Sequence, residues 1–212
     1  PNGRYLVDAY AAALGQSLPS YKATEIYNIG IATVNNAAVA ADFTIPATAP
    51  LTGKVTVPGI APLPDGTIVT AWDTSADVPE KPITSYAAGG GFGFAEGNGY
   101  YELILAANRT YAYNASVPVI QNAKTVGTAS YPLNVQTLKL GTGTMRDITF
   151  PALPAFVRYR GKVMDSAGRP VRNAIVSAYS SNLIGTTNLA FNGSAQTDTN
   201  GNYQLILLGG TN

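Results

Sequence analysis

Apolar and polar residues alternate along much of the chain. In "TIVTAW", Ile68, Thr70 and Trp72 share a face, and in "YELIL" so do Tyr101, Leu103 and Leu105. In "DITF", Ile148 and Phe150 point together, as Phe43 and Ile45 do in "DFTI". A period of two predicts β-strands. Turn signals separate them: "PDG", "EGNG", "SAGRP" and "TNGN". The 22 Gly and 14 Pro residues suppress long helices. The one helix-like piece, "DAYAAALGQ", is expected to be a strand running into a loop. The Gly-rich segment "SYAAGGGFGFAEGNG" is expected to form an exposed hairpin or loop.

Self-comparison gives the strongest signal. "GKVTVPGIAPLPDGTIVTAWDT" from Gly53 parallels "GKVMDSAGRPVRNAIVSAYSS" from Gly161, with Trp72 falling where Tyr179 falls. "EGNGYYELIL" from Glu96 parallels "DTNGNYQLIL" from Asp198, so Tyr101 matches Tyr203. "RDITFPALP" from Arg146 parallels "ADFTIPATAP" from Ala41, and "RTYAYNASV" from Arg109 parallels "GRYLVDAYA" from Gly3. The expected organisation is residues 51–155 as a complete β-sandwich, 156–212 as the first half of a second, and 1–50 as a second half. The chain then reads as two repeats, cut out of phase. Short strands at regular spacing with Gly/Pro turns predict an all-β fold of tandem β-sandwiches, one complete and one split between the chain ends.

The residues Gly161, Val163, Gly168, Pro170, Ala174, Val176, Tyr179, Thr197, Asp198, Gly201 and Tyr203, followed by Asp42, Thr44 and Ile45, form a pattern. It resembles that of carboxypeptidase regulatory-like domains, which are transthyretin-like, immunoglobulin-type β-sandwiches. The middle copy departs from it, with Glu96 in place of the Asp and a longer turn after Gly53. The resemblance spans nearly the whole chain as two out-of-phase copies. It implies a fold met in secreted, surface-attached and adhesive proteins, and specifies function hardly at all.

Half a sandwich cannot bury enough apolar surface to stand alone, and its open strand edges are templates for pairing. The halves could pair within one chain to give a closed molecule. Alternatively, 156–212 of one copy could combine with 1–50 of the next, by strand complementation into a head-to-tail filament. A third version makes the chain one period of a longer tandem-repeat polypeptide. A shared-domain interface would be apolar and exceed roughly 2,000 Å².

Charge narrows the partners. Thirteen basic and 12 acidic residues leave a net charge of +1, and charged residues are only 12% of the chain. No basic patch suited to nucleic acid is apparent. No apolar run is long enough for a transmembrane helix. A polar surface made from Ser, Thr, Asn, Gln and Tyr suits an extracellular or cell-surface protein. The sequence shows no signal peptide, and secretion would imply one removed beforehand.

Cys and His are both absent. Thiolate metal sites, disulfides and His-based triads are therefore excluded. No catalytic, cofactor-binding or metal residue is assigned, no cofactor is expected, and the chain is expected not to be an enzyme. Asn-x-Ser/Thr sequons make Asn108, Asn114 and Asn192 glycosylation candidates. Asn192 is expected in a loop, Asn108 after a strand end, and Asn114 on a strand. Asp198, Asn200 and Asn202 alternate as in calcium loops, but no distal Glu follows; a turn with Gly201 at positive φ is expected instead. Asp73, Asp77 and Glu80 beside Trp72 could form an acid pair or a sugar platform. The repeat favours Trp72 as a core or rim aromatic. Lys54 and Lys162 are further candidates, for amide cross-links.

The expected function is that of a structural subunit of a pilus-like extracellular filament, its partners being copies of itself and glycans. The alternative is a carbohydrate- or surface-binding tandem module of a larger secreted enzyme or adhesin.

Overall fold

The computed structural model describes residues 2–12, 22–37, 40, 48–74, 90–108, 110–132, 138–139, 144–180 and 189–209. These residues are all-β. In chain order the strands are β1 (Gly3–Ala12), β2 (Lys22–Val34), β3 (Thr48–Thr56), β4 (Ile68–Asp73), β5 (Gly90–Phe94), β6 (Tyr100–Ala106), β7 (Thr110–Gln121) and β8 (Lys124–Pro132). They continue with β9 (Leu138–Lys139), β10 (Thr144–Met145), β11 (Ile148–Thr149), β12 (Phe156–Lys162), β13 (Ile175–Ser180), β14 (Ala190–Gln196) and β15 (Asn202–Leu208).

One sheet runs in the order β1-β2-β5-β4-β7-β8-β14-β13, with β9 attached to β7. A second sheet centres on β3, which pairs antiparallel with β6 on one edge and parallel with β10 and β11 on the other. The pair β12-β15 forms a third. Alternation explains the main core. Ala49, Leu51 and Val55 of β3, Tyr101, Leu103 and Leu105 of β6, and Ile148 of β11 with Phe150 after it are all buried. They share one cluster with Val69 and Ala71 of β4 and Tyr113, Ala115, Val117 and Val119 of β7. This is the arrangement of a β-sandwich: two sheets, each with one face of alternate residues turned to a common interior.

Several local expectations are modified. Ile68, Thr70 and Trp72 do share a face, but they are half-buried; Val69 and Ala71 occupy the core side. Trp72 is thus a rim residue. Residues Gly90–Phe94 of the Gly-rich segment are not a loop. They form β5, interior to the large sheet between β2 and β4. Gly93 is buried there, and a Cβ at its position would lie 2.7 Å from the Glu102 carbonyl oxygen. Glycine suits this strand because the layers approach too closely for a side chain. The helix-like "DAYAAALGQ" begins in β1 as a strand, and its last residues lie outside the described set, as does the "DFTI" segment.

Two turns that pass between sheets, before β6 and before β15, are built alike. Val55 N–H donates to the Gly99 carbonyl at 2.8 Å, and Val163 N–H to the Gly201 carbonyl at 2.9 Å. Gly99 and Gly201 both have positive φ, and a Cβ at either would strike the carbonyl oxygen of Val55 or Val163. In the second turn the Asp198 carboxylate accepts the backbone N–H of Asn200 and of Asn202, each at 2.8 Å. These bonds, the Asn202 backbone N–H first, hold the Asp198 pKa below the ordinary Asp value. "TDTNGN" is therefore an Asx-type turn.

Candidate functional site

Strands β3 and β12 start from the same local chemistry. Gly53 stands opposite Tyr101 on β6, and Gly161 opposite Tyr203 on β15. In each pair the Tyr ring lies against the glycine, where a Cβ would come within 3 Å of ring atoms. Lys54 then pairs with Tyr100, and Lys162 with Asn202.

Their far edges differ. Along β3, Arg146 N–H donates to the Thr52 carbonyl and Phe150 N–H to the Thr56 carbonyl, both at 2.8 Å. Asp147 Oδ1 accepts the backbone N–H of Lys54 at 2.9 Å. The Tyr101 hydroxyl donates to the Arg146 carbonyl at 2.6 Å. Burial, with the neighbouring Tyr113 and Asp147 adding to it, pushes the Tyr101 pKa far above the ordinary phenol value. Along β12, among the described residues, only β15 pairs.

Exposure follows from this. Ala49 and Leu51 are 2% and 0% exposed, whereas the residues in the corresponding places on β12, Val157 and Tyr159, are 51% and 57% exposed. Strand β13 sits at one end of the large sheet and carries Ile175 and Tyr179, 76% and 74% exposed. Tyr159 leans on Tyr203 at a ring separation of 6.4 Å. On the opposite face of β12, Arg160 Nε donates to Gln204 Oε1 at 2.9 Å. The candidate sites are therefore two strand edges, β12 and β13, each with apolar and aromatic side chains, and their chemistry is that of pairing with another strand. Sequence reading did not single out Val157 and Tyr159. The available signal was their alignment with Ala49 and Leu51, core-type positions next to the shared Gly-Lys-Val.

Of the sequons, Asn192 lies beside the β13 edge, opposite Tyr179, and Asn108 and Asn114 lie on other elements. Asn108 is exposed in the β6–β7 turn at φ 59. Asn114 is half-buried in β7, between Thr70 and Pro132. Asn192 is not in a loop. It lies within β14, opposite Thr128 and Tyr179, with its side chain exposed. Asp77 and Glu80 lie outside the described residues. Among the described residues, no cluster of three or more carboxylates could hold a metal ion, and no helix is long and apolar enough to cross a membrane.

No family model matches the chain, and no curated protein matches it. Among solved structures it is similar to a streptococcal ancillary pilin at 14% identity, with a TM-score of 0.31. The match covers 99% of this chain and 63% of that one, so the chain spans less than two thirds of the pilin's length.

Proposed function

We propose that the chain is a structural, non-catalytic subunit of an extracellular filament, assembled head to tail by sharing β-strands between copies. The observation that carries this reading is the contrast between β3 and β12. The same Gly-Lys-Val motif lies in a strand covered on both edges in one case and, among the described residues, on one edge only in the other. Two exposed strands, β12 with Val157 and Tyr159 and β13 with Ile175 and Tyr179, favour strand addition. The reading treats 51–155 as a complete sandwich, and 156–212 and 1–50 as halves of a second, in the manner of the carboxypeptidase regulatory-like, transthyretin-like pattern. A surface with few charges and no His or Cys suits an extracellular scaffold better than an enzyme. Asn108 and Asn192, whose side chains are exposed, are the sequons best placed to carry glycans.

The alternative, a carbohydrate- or surface-binding module, draws less support. Tyr159 and Tyr179, the most exposed aromatics among the described residues, belong to different sheets. Electron microscopy of the native material, with helical averaging, tests the proposal. Fibres with a repeat close to one chain are expected. Compact, monodisperse particles at all concentrations would move the binding module to first place.

A further inference from the structure

The order of the large sheet repeats. In β1-β2-β5-β4-β7-β8-β14-β13, the pairing of β1 with β2 recurs as β7 with β8, that of β2 with β5 as β8 with β14, and that of β5 with β4 as β14 with β13. The hydrogen bonds agree with these matches. Ala95 N–H donates to the Thr67 carbonyl and Thr197 N–H to the Ala174 carbonyl, each at 2.9 Å. The remaining neighbours in the middle of the sheet are β4 and β7, which pair antiparallel from Ile68 opposite Ser116 to Asp73 opposite Tyr111. Their counterparts, β13 and β1, are the two ends of the sheet.

Resting on the filament reading, we infer that the β13 edge of one copy receives the β1 edge of a second copy of this chain, antiparallel, as β4 receives β7. Within the chain these two edges do not pair: β13 and β1 stand at opposite ends of the sheet, seven inter-strand steps or about 34 Å apart along it. Placing Tyr5 where Tyr111 stands sets Val7 of the second copy opposite Ala178 and Leu6 opposite Tyr179. Ala178 then faces a larger residue, as Ala71 faces Tyr113, and Leu6 stands against Tyr179 where Ala112 stands against Trp72.

Cysteine cross-linking tests the pairing, because the chain contains no Cys. Chains carrying Ala178→Cys are mixed under oxidising conditions with chains carrying Tyr5→Cys, Val7→Cys or Ala9→Cys. Thr33→Cys, on interior strand β2, is the control. Directly opposed residues on antiparallel strands bring Cα atoms within disulfide reach, about 4.5–5.5 Å. The expected result is a mixed disulfide dimer that peaks at Val7→Cys, several-fold above the control. Sedimentation of the unmodified chain runs alongside. Polymer without a β1–β13 disulfide, or with only Ala178→Cys self-dimers, overturns this pairing and leaves the filament reading standing. Absence of both polymer and cross-link overturns the two together.

Discussion

The antiparallel pairs β3–β6 and β12–β15 share the turn before their second strand, their Gly–Tyr pair and the alternation of Leu103 and Leu105 with Leu205 and Leu207. The first lies under a sheet and beside a parallel strand. In the second, among the described residues, β12 has a strand partner on one edge only. Tyr101 is consequently buried and hydrogen-bonded, while Tyr203 is half-buried. Turn closure is local, whereas β3–β6 and β12–β15 each pair across two intervening strands. Burial is a property of what arrives afterwards, here residues 144–150.

The sharpest way to break this comparison is to truncate corresponding side chains. Leu51→Ala opens a cavity in the core and should cost roughly 2–5 kcal/mol. Tyr159→Ala, half-solvated and touching chiefly Tyr203, should cost about 1 kcal/mol or less in the unassembled chain. Denaturant midpoints with unchanged slopes would measure both. Equal losses would show that β12 is covered in solution.

Glycine substitutions follow. A Cβ on Gly53 would lie 1.7 Å from the Arg146 carbonyl oxygen, backbone that cannot swing aside. Gly53→Ala should destabilise by roughly 2–3 kcal/mol. On Gly161 the added atom meets only the Tyr203 ring, nearest atom 2.4 Å, and the half-buried ring can turn away. Thermal melts should show Gly161→Ala to be the milder change.

Removing the hydroxyls gives a smaller contrast. Tyr101→Phe loses the bond to the Arg146 carbonyl and should cost about 1 kcal/mol, while Tyr203→Phe should stay within about 0.5 kcal/mol. The raised Tyr101 pKa adds a pH signature. The stability it reflects is complete below about pH 10, the ordinary Tyr value, and is lost as pH rises towards the folded-state value. Tyr101→Phe should flatten that alkaline limb.

The smallest effect is expected in the turns. Asp198 titrates below its ordinary value, so its contribution is complete above about pH 3.9 and disappears as pH falls through the depressed folded-state value. In the corresponding turn the Asn98 side-chain oxygen accepts the Tyr100 N–H at 2.7 Å, and an amide does not titrate there. Amide exchange followed into acid should show the 198–202 turn opening before the 96–100 turn. Simultaneous opening would break the comparison.

Much of the secondary structure was legible in the sequence because its causes are local. Alternation fixed β4, β6 and β11, and the placement of Gly and Asp or Asn fixed the turns before β6 and β15. What escaped was the identity of lateral neighbours. "GGFGF" has no side-chain pattern to mark its faces and reads as a loop until β2 and β4 flank it. "FNGSAQ" is polar enough to resemble a loop, yet Phe191 is buried and β8 and β13 pair on either side. On β4 both faces carry apolar residues, and the layer beneath, not the alternation, selects Val69 and Ala71. The candidate edge was half legible. Its open pairing sites depend on long-range partners, whereas its apolar content is already written in Val157, Tyr159 and Ile175.

The bonds that cover β3 also set a clock. Tyr101 and Arg146 are 45 residues apart, and Lys54 and Asp147 are 93 apart. At ribosomal speeds of about 5–20 residues per second, the β3–β6 pair emerges roughly 2–9 s before its cover is synthesised. During that interval the middle of every nascent chain passes through the uncovered condition that β12 displays, and neighbouring nascent chains could pair with it prematurely. The rate at which 102–146 is translated, relative to the density of ribosomes on the message, thus becomes a determinant of yield.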